Sequence, residues 1–293
     1  MSLETELVKM ARAAAASPET DSRARQMQGF LARALTGSLE GARGIAYGSL
    51  ARGTHVDPIR DVDVLLVLEP GDGPDRIGSD HDPERVLGVL EQKIAAATRD
   101  TIWRGSTSIG AHSVKCFPGG RTGQRPVTFA DVVPAVPTAA DSFLIPDLPQ
   151  KRWVETNPSV LMNRVRERQA EWEHFIPLVR LLKRWNAANG EPIKSLAIEV
   201  LAIEAMEPAS PPRALADFFA AGSSLASRSL LDPAGLCGRI DPGGDFAHAE
   251  LIFQRASRLA RQAVDWPADE ARSIQLFQQV FDPPHSQARR ISA

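Results

Sequence analysis

The sequence predicts an α+β fold, in which an α/β half of roughly 150 residues precedes an all-helical half. Three observations support this prediction. Val62–Leu68 is apolar on both faces, as expected for a central strand. Strand-like alternation continues as far as Val136. Beyond Pro158 the apolar residues recur with helical spacing only.

The first half begins with helices over residues 5–35, followed by a short apolar strand at Gly44–Tyr47. A loop rich in Gly, Pro and Asp follows the central strand, over Glu69–Pro83, and a helix is predicted over Pro83–Thr98. Three more strands are predicted, with a turn at Pro118–Gly123 before the last of them: Thr101–Arg104, His112–Phe117 and Val127–Val136.

The second half begins with a long helix over Ser159–Asn189, kinked at Pro177. One apolar stripe runs along it through Phe175, Leu178, Leu182 and Trp185. Further helices are predicted at Ser195–Met206, Arg213–Ser227, Phe246–Val264 and Pro267–Phe281. The predicted domains are therefore 1–157, a core with N-terminal helices; 158–282, a helical domain that completes the active-site cleft; and 283–293, a flexible tail.

Composition narrows the functional classes. The 293 residues carry a net charge of −2, with 43% hydrophobic and 24% charged residues, as in ordinary globular proteins. Proteins that follow a long phosphate backbone usually have a strong basic excess, so a small nucleotide fits this charge better than a long nucleic acid. No apolar run reaches the ~18 residues of a membrane span, and no signal pattern is evident, so a cytoplasmic location is expected. Cys116 and Cys237 are isolated, which argues against zinc and disulfides.

The most informative pattern is Asp61-Val-Asp63 at the start of the central strand. Side chains two residues apart on a strand share a face, about 6.5–7 Å apart. Two such carboxylates can share a pair of divalent cations. Taken alone the pattern is in most cases a solvated strand start, but carboxylates that lead into a doubly buried strand need a positive partner.

Gly48-Ser49 supplies a second element upstream of the two acids. A Gly-Ser pair between a strand and a helix lets backbone N–H groups approach a triphosphate, and the serine hydroxyl adds a donor. The same pair is also a common turn, and only its combination with Asp61 and Asp63 favours nucleotide binding.

Asp131 lies in a strand that is otherwise apolar on both faces. It suits a third metal ligand, or a base that takes the proton of an attacking hydroxyl. The alternative is a buried carboxylate satisfied by the backbone near Pro134.

These motifs, at this spacing, resemble the polymerase-beta-type nucleotidyltransferase superfamily. The helical half resembles the cGAS/DncV-like enzymes, or CD-NTases, of the SMODS and oligoadenylate synthase group. The segments that carry this second resemblance are Leu178–Asn186, Ile193–Leu196, Glu199–Leu201 and the late motif Leu231–Gly235 with Arg239. The implied fold is a polymerase-beta-like nucleotidyltransferase sheet with N-terminal helices, packed against a C-terminal helical bundle.

The resemblance also implies a set of site residues. Asp61, Asp63 and Asp131 would hold two Mg²⁺ ions, for which Mn²⁺ would be a substitute, and Gly48 and Ser49 would bind nucleotide. Lys183 and Ser195 would contact the donor triphosphate from the helical side, where Lys offers a point charge and Ser a hydroxyl. Without the resemblance, a solvated lysine and a helix-capping serine are the simpler interpretations.

The activity implied is synthesis of a cyclic di- or trinucleotide from nucleoside triphosphates, with ATP among them, as a messenger in the bacterial anti-phage system CBASS. Accessory proteins of that system would act on the C-terminal tail. One alternative is transfer of a nucleotide to an antibiotic or a protein hydroxyl. Another is a nucleotide sensor without catalysis, which three intact carboxylates argue against.

Overall fold

The computed structural model describes most of the chain, namely residues 2–39, 41–69, 82–119, 129–224, 230–240, 243, 246–266 and 268–282. The predicted tail 283–293 and most of the predicted loop Glu69–Pro83 lie outside these ranges. Within them the chain forms ten helices and seven strands, which confirms the predicted α+β class.

The chain divides into two compact units, residues 16–160 and residues 1–15 with 161–293. The first helix, α1 (Leu3–Ala13), was assigned with the sheet from the sequence, whereas it clusters with the second unit. The reason is its apolar face, because Leu7 and Ala11 are buried in the core of the helical unit.

The first unit contains the whole sheet. Its helices and strands are α2 (Pro18–Ser38), β1 (Ala42–Tyr47), α3 (Gly48–Arg52), β2 (Asp61–Leu68), α4 (Pro83–Thr98), β3 (Gly105–Ile109), β4 (Val114–Pro118), β5 (Phe129–Pro137), β6 (Phe143–Asp147) and β7 (Arg152–Thr156). The strand order is β1-β2-β5-β4-β3, and β6 joins β5 to β7. β2 and β5 are parallel and the other pairs are antiparallel.

Side chains alternate between the two faces of this sheet, as strand geometry requires. One face carries Val62, Val64 and Leu66 and packs with α2 and α4 into a single apolar core. The other face carries Leu65, Val67, Val133 and Ala135 in a smaller cluster. β2 has a hydrogen-bonded partner strand on each side, which confirms that it is internal to the sheet.

The helical unit contains α1, most of α5 (Pro158–Glu171), and α6 (Phe175–Ala188), α7 (Ser195–Ala205), α8 (Pro211–Gly222), α9 (Phe246–Asp265) and α10 (Glu270–Phe281). The predicted stripe of α6 is buried, and its Trp185 meets the rings of Phe219 and Phe253 edge to face. No helix in the described ranges is long and apolar enough to cross a membrane.

Two predicted elements were wrong. Thr101–Arg104 is a turn, because the Thr101 hydroxyl accepts a hydrogen bond from the Trp103 N–H and the strand begins only at Gly105. The long helix is two helices, and it breaks at residues 172–174, upstream of Pro177. The Gln169 side chain spans this break: it accepts from the Ile176 N–H and donates to the Glu173 carbonyl.

Candidate functional site

Four strands place four polar side chains in one row across the sheet. Tyr47 pairs with Asp63, Asp63 with Asp131, and Asp131 with Lys115, in the registers of β1–β2, β2–β5 and β5–β4. Directly opposed residues on neighbouring strands project to the same face. The row therefore brings Asp131 beside Asp63, although the two residues are 68 positions apart in the sequence.

Asp61 lies on the same face as Asp63, two residues earlier on β2. Its partner across the sheet is Phe129, whereas Val62 between the two acids is fully buried on the opposite face. The three predicted carboxylates are therefore on one face, at the start of two parallel strands.

All three carboxylates affect the pKa of the Tyr47 phenol. Its pKa is raised well above the ordinary value, first by burial and then by the charges of Asp63, Asp131 and Asp61, against an opposing effect of Arg52. Removing a phenol from water and surrounding it with negative charge both disfavour the phenolate. Tyr47 therefore stays neutral at physiological pH, and its O–H is available as a donor beside the carboxylates.

The loop between β1 and α3 approaches Asp63 so closely that only glycine fits. Gly48 has φ of +75°, in the left-handed region, and a Cβ at this position would overlap the Asp63 carboxylate. Ser49 follows as the second residue of α3 and is half-buried. The Gly-Ser loop and Asp63 are thus parts of one local structure.

Gln28, a residue that the sequence interpretation missed, fixes the backbone of this site. It is buried on α2 and its amide donates to the carbonyls of Asp63, at 2.7 Å, and Tyr47, at 3.3 Å. The sequence contains a pattern that could have indicated this role, since Gln28 interrupts the apolar stripe of Ala24, Met27, Leu31 and Leu35. Buried polar groups on such a stripe usually satisfy a specific partner.

One observation supports the fit of divalent cations to these residues. The Oδ1 atom of Asp131 is buried and accepts no hydrogen bond from the described residues, so the alternative in which the backbone satisfies it does not hold for this atom. Hard cations such as Mg²⁺ take carboxylate oxygens as ligands. The donor set therefore suits Mg²⁺ in chemistry. In the described ranges, however, no group of three or more His, Cys, Asp or Glu is arranged as around a bound metal, so the metal assignment stays a prediction.

A cavity of about 380 Å³ opens on the same face of the sheet. Its apolar lining includes Leu65, Val133 and Ile145, and its polar lining includes Tyr47, His112, Ser113, Lys115, Asp131 and Thr156. This size lies within the range of small-ligand pockets, roughly 300–1,000 Å³.

Lys183 and Ser195 belong to the helical unit. Lys183 on α6 is not solvated: its Nζ donates to Glu199 on α7 at 2.6 Å, with side chains 4% and 1% exposed. This ion pair favours a structural role in joining the two helices. Ser195 is the first residue of α7, after the N-cap Lys194, and is exposed, so it is not the predicted alternative of a capping serine. Their contacts with a triphosphate stay predictions.

The late motif forms a compact loop in the helical unit. The Asp232 carboxylate accepts from the N–H groups of Ala234, Leu236 and Cys237, and Leu231 pairs with Arg239 in an isolated bridge. An aspartate that binds backbone groups in this way stabilises a turn.

The sequence matches no protein family model and no curated protein, but the structure matches several solved ones. CdnC from E. coli MS115-1, solved with ATP, has a TM-score of 0.72 and 18% identity over 96% of this chain and 98% of that chain. The CD-NTase CdnG from Bradyrhizobium diazoefficiens, solved with GTP, has a TM-score of 0.69 and 15% identity over 99% and 98%.

DncV from Vibrio cholerae, a cyclic AMP-GMP synthase solved with nonhydrolyzable GTP, has a TM-score of 0.59 and 12% identity over 96% of this chain and 85% of that chain. At such identities the likeness concerns the fold. The chain therefore has the fold of the CD-NTases, as its motifs predicted.

Proposed function

We propose that this protein is a Mg²⁺-dependent nucleotidyltransferase that makes a cyclic di- or trinucleotide from nucleoside triphosphates. The observation that carries the proposal is the pairing of Asp63 with Asp131 across β2 and β5, directly beside the Gly48–Ser49 loop. Two supporting facts are that the similar structures of CdnC and CdnG were solved with ATP and GTP, and that DncV is a cyclic AMP-GMP synthase.

Asp61, Asp63 and Asp131 would hold the cations. When bound, Mg²⁺ acidifies a hydroxyl and neutralises charge on a triphosphate. Two observations support this assignment. A cation would be a partner for the buried Oδ1 of Asp131, and it would offset the negative charge that the three carboxylates together exert on Tyr47.

The transfer itself joins an acceptor hydroxyl to the α-phosphorus of a donor triphosphate. The bond from the acceptor oxygen to phosphorus forms, the bond from that phosphorus to the bridging oxygen breaks, and pyrophosphate leaves. In this proposal Asp131 would take the hydroxyl proton, and Ser49 would donate a hydrogen bond to the phosphates. A last transfer between the two ends of the linear product would close the ring, with a second pyrophosphate released for a dinucleotide and a third for a trinucleotide.

The weak net charge of −2 fits small, diffusible substrates. By analogy with the CD-NTases the product would serve as a messenger in anti-phage defence, CBASS. CdnC of E. coli MS115-1 was also solved in a complex with a HORMA protein, and accessory partners are part of the proposal on that basis.

Labelled triphosphates test this proposal. The protein is incubated with each triphosphate alone and with all four together, in each case with and without Mg²⁺. The products are then treated with phosphatase. A phosphatase-resistant nucleotide that requires Mg²⁺ and is lost in Asp63→Asn is expected. The main alternative, nucleotide transfer to an antibiotic or a protein hydroxyl, predicts no product until such an acceptor is added.

A further inference from the structure

A second cavity, of about 670 Å³, lies wholly within the helical unit. It opens between the end of α6, one side of α9 and the last turn of α10. Its size is within the range of small-ligand pockets, roughly 300–1,000 Å³. No described residue of the proposed active site lines it, so it has no role in the chemistry described so far.

The greater part of this cavity is apolar. Its apolar lining comes from three helices and includes Trp185, Ile252, Ala256, Leu259 and Val280. The residues from α9 are spaced by four and then three positions, so they lie on one side of that helix. Leu251 also lines the cavity and is 65% exposed. An apolar ligand would remove this surface from water, which is favourable.

Arg255 provides the charge of the cavity. It lies on α9 and is half-buried, and among the described residues its side chain has no hydrogen bond, ion pair or aromatic contact. The described residues that line the cavity include no Asp or Glu, and its other polar members are Asn189, His248 and Gln279. A guanidinium offers five N–H donors in a planar arrangement that matches a carboxylate.

The charges of α9 narrow the choice of occupant. Arg258 and Arg261 follow Arg255 at intervals of three residues and are exposed. A second copy of this chain, seated here through its own α9, would bring the two sets of arginines together, which is unfavourable. A phosphate backbone would pair with the arginines but leave the apolar lining without a partner. A small molecule with an apolar body and one anionic group matches both parts of the cavity.

We propose that this cavity binds a small amphipathic carboxylate, with its aliphatic chain on the apolar lining and its carboxylate on Arg255. One carboxylate matches the one guanidinium among the described residues of the lining. The chain is aliphatic rather than aromatic, because Trp185 is only 1% exposed and its ring already meets Phe219 and Phe253, which leaves little ring surface for stacking.

Isothermal titration calorimetry of the full chain tests this site, without nucleotide or metal. The result is therefore independent of the proposed function. One set of probes varies the chain length: hexanoate, octanoate and decanoate, each below its micelle concentration. A second set keeps eight carbons and varies the head group: octanoate, 1-octanol and octylammonium.

We expect saturable binding of one octanoate, with a Kd that falls about fourfold for each added CH₂, as for a methylene taken out of water. The Kd of 1-octanol should be tenfold or more above that of octanoate, because the neutral head group lacks the charge-assisted hydrogen bonds. Octylammonium should bind more weakly still, since its charge is repelled by Arg255.

Three variants locate the site. Arg255→Met should raise the Kd of octanoate to about that of 1-octanol and leave the Kd of 1-octanol unchanged. Arg258→Met is the matched control, because it makes the same charge change one turn along α9 at a residue that does not line the cavity. Ala188→Trp places a large ring at an exposed position of the lining and should abolish binding of both ligands.

An octanoate Kd that rises equally in Arg255→Met and Arg258→Met would overturn the inference, because surface charge alone would explain it. Unchanged binding in Ala188→Trp would overturn it as well, since the ligand would then lie elsewhere. So would equal affinity for all three head groups, or the absence of saturable binding to the parent. Thermal denaturation of each variant, compared with the parent, shows that the fold is retained.

Discussion

The pKa of Tyr47 can be used to measure the negative charge in the proposed site, because Tyr47 is the single tyrosine of the 293-residue sequence. Its pKa is raised by burial and by the three carboxylates. Asp63→Asn and Asp131→Asn should each lower this pKa, with the larger effect at Asp63, because each removes one negative charge. Near-ultraviolet tyrosinate absorbance during an alkaline titration measures it directly.

Asp100→Asn provides the control for that titration, since Asp100 does not contribute to the pKa of Tyr47. Equal curves for the parent, Asp63→Asn and Asp131→Asn would show that the carboxylates do not surround Tyr47. Burial alone would then explain the raised pKa, and the three acids would not share a site.

The same pKa sets the alkaline stability of the fold. In the unfolded chain Tyr47 loses its proton near pH 10, as an ordinary tyrosine does. In the folded chain it holds the proton to higher pH. Stability is therefore unaffected below about pH 10 and falls as the pH rises towards the folded pKa, because the folded state then binds more protons. Tyr47→Phe should remove this part of the alkaline loss in denaturation curves taken across that window.

Gly48 tests the close approach of the Gly-Ser loop to Asp63. Gly48→Ala should cost about 1–2 kcal/mol for the left-handed backbone and about 1–3 kcal/mol more for the overlap with the carboxylate. Gly41→Ala is the matched control, with φ of +72° but only an ordinary contact with Glu69. Chemical denaturation of both variants measures the difference, and equal losses would contradict the described packing.

Among the helices, the Lys183–Glu199 ion pair links α6 to α7 inside the helical unit. Lys183→Met should destabilise the protein by about 3–5 kcal/mol, because it leaves a buried carboxylate without its partner. The double variant Lys183→Met, Glu199→Leu should recover most of this loss. If instead Lys183→Met reduces activity while stability is unchanged, Lys183 acts on the triphosphate, as the motif resemblance predicted.

The elements that could be predicted from the sequence are those with strong local patterns. β2 is apolar from Val64 to Leu68 and was predicted close to its observed bounds. The regular spacing of the α6 stripe predicted a helix there and its end, but not its start at Phe175. β6 and β7 were missed. Phe143–Asp147 contains Pro146, and Arg152–Thr156 is largely polar, so neither has a strong strand pattern. Their pairing depends on β5, a contact between segments that local pattern does not reveal.

The part of the site that could be predicted is the part with a strong local sequence pattern. Gly48, Ser49, Asp61 and Asp63 lie within 16 residues of sequence (48 to 63), so their spacing carries the information. Asp131 was predicted from its apolar surroundings. Gln28 contacts the backbone of the row through helix packing, and Lys115 joins the row through sheet register, so their places in the site depend on the folded chain.

At the scale of the whole molecule, the division into two units places Asp61, Asp63 and Asp131 in residues 16–160 and Lys183 and Ser195 in the helical unit. The proposed cation ligands, the Gly-Ser loop and the cavity of Lys115 therefore belong to one compact unit. The central claim depends on this unit alone: three carboxylates on one face of the sheet support nucleotidyl transfer.

Mass spectrometry of the products from an equal mixture of the four ribonucleoside triphosphates with Mg²⁺ tests that claim most directly, with the parent compared to Asp131→Asn. The parent should yield a cyclic di- or trinucleotide and pyrophosphate. Asp131→Asn, folded as judged by its denaturation curve, should be slower by several powers of ten, each worth about 1.4 kcal/mol of barrier. Equal product from both proteins would contradict the account.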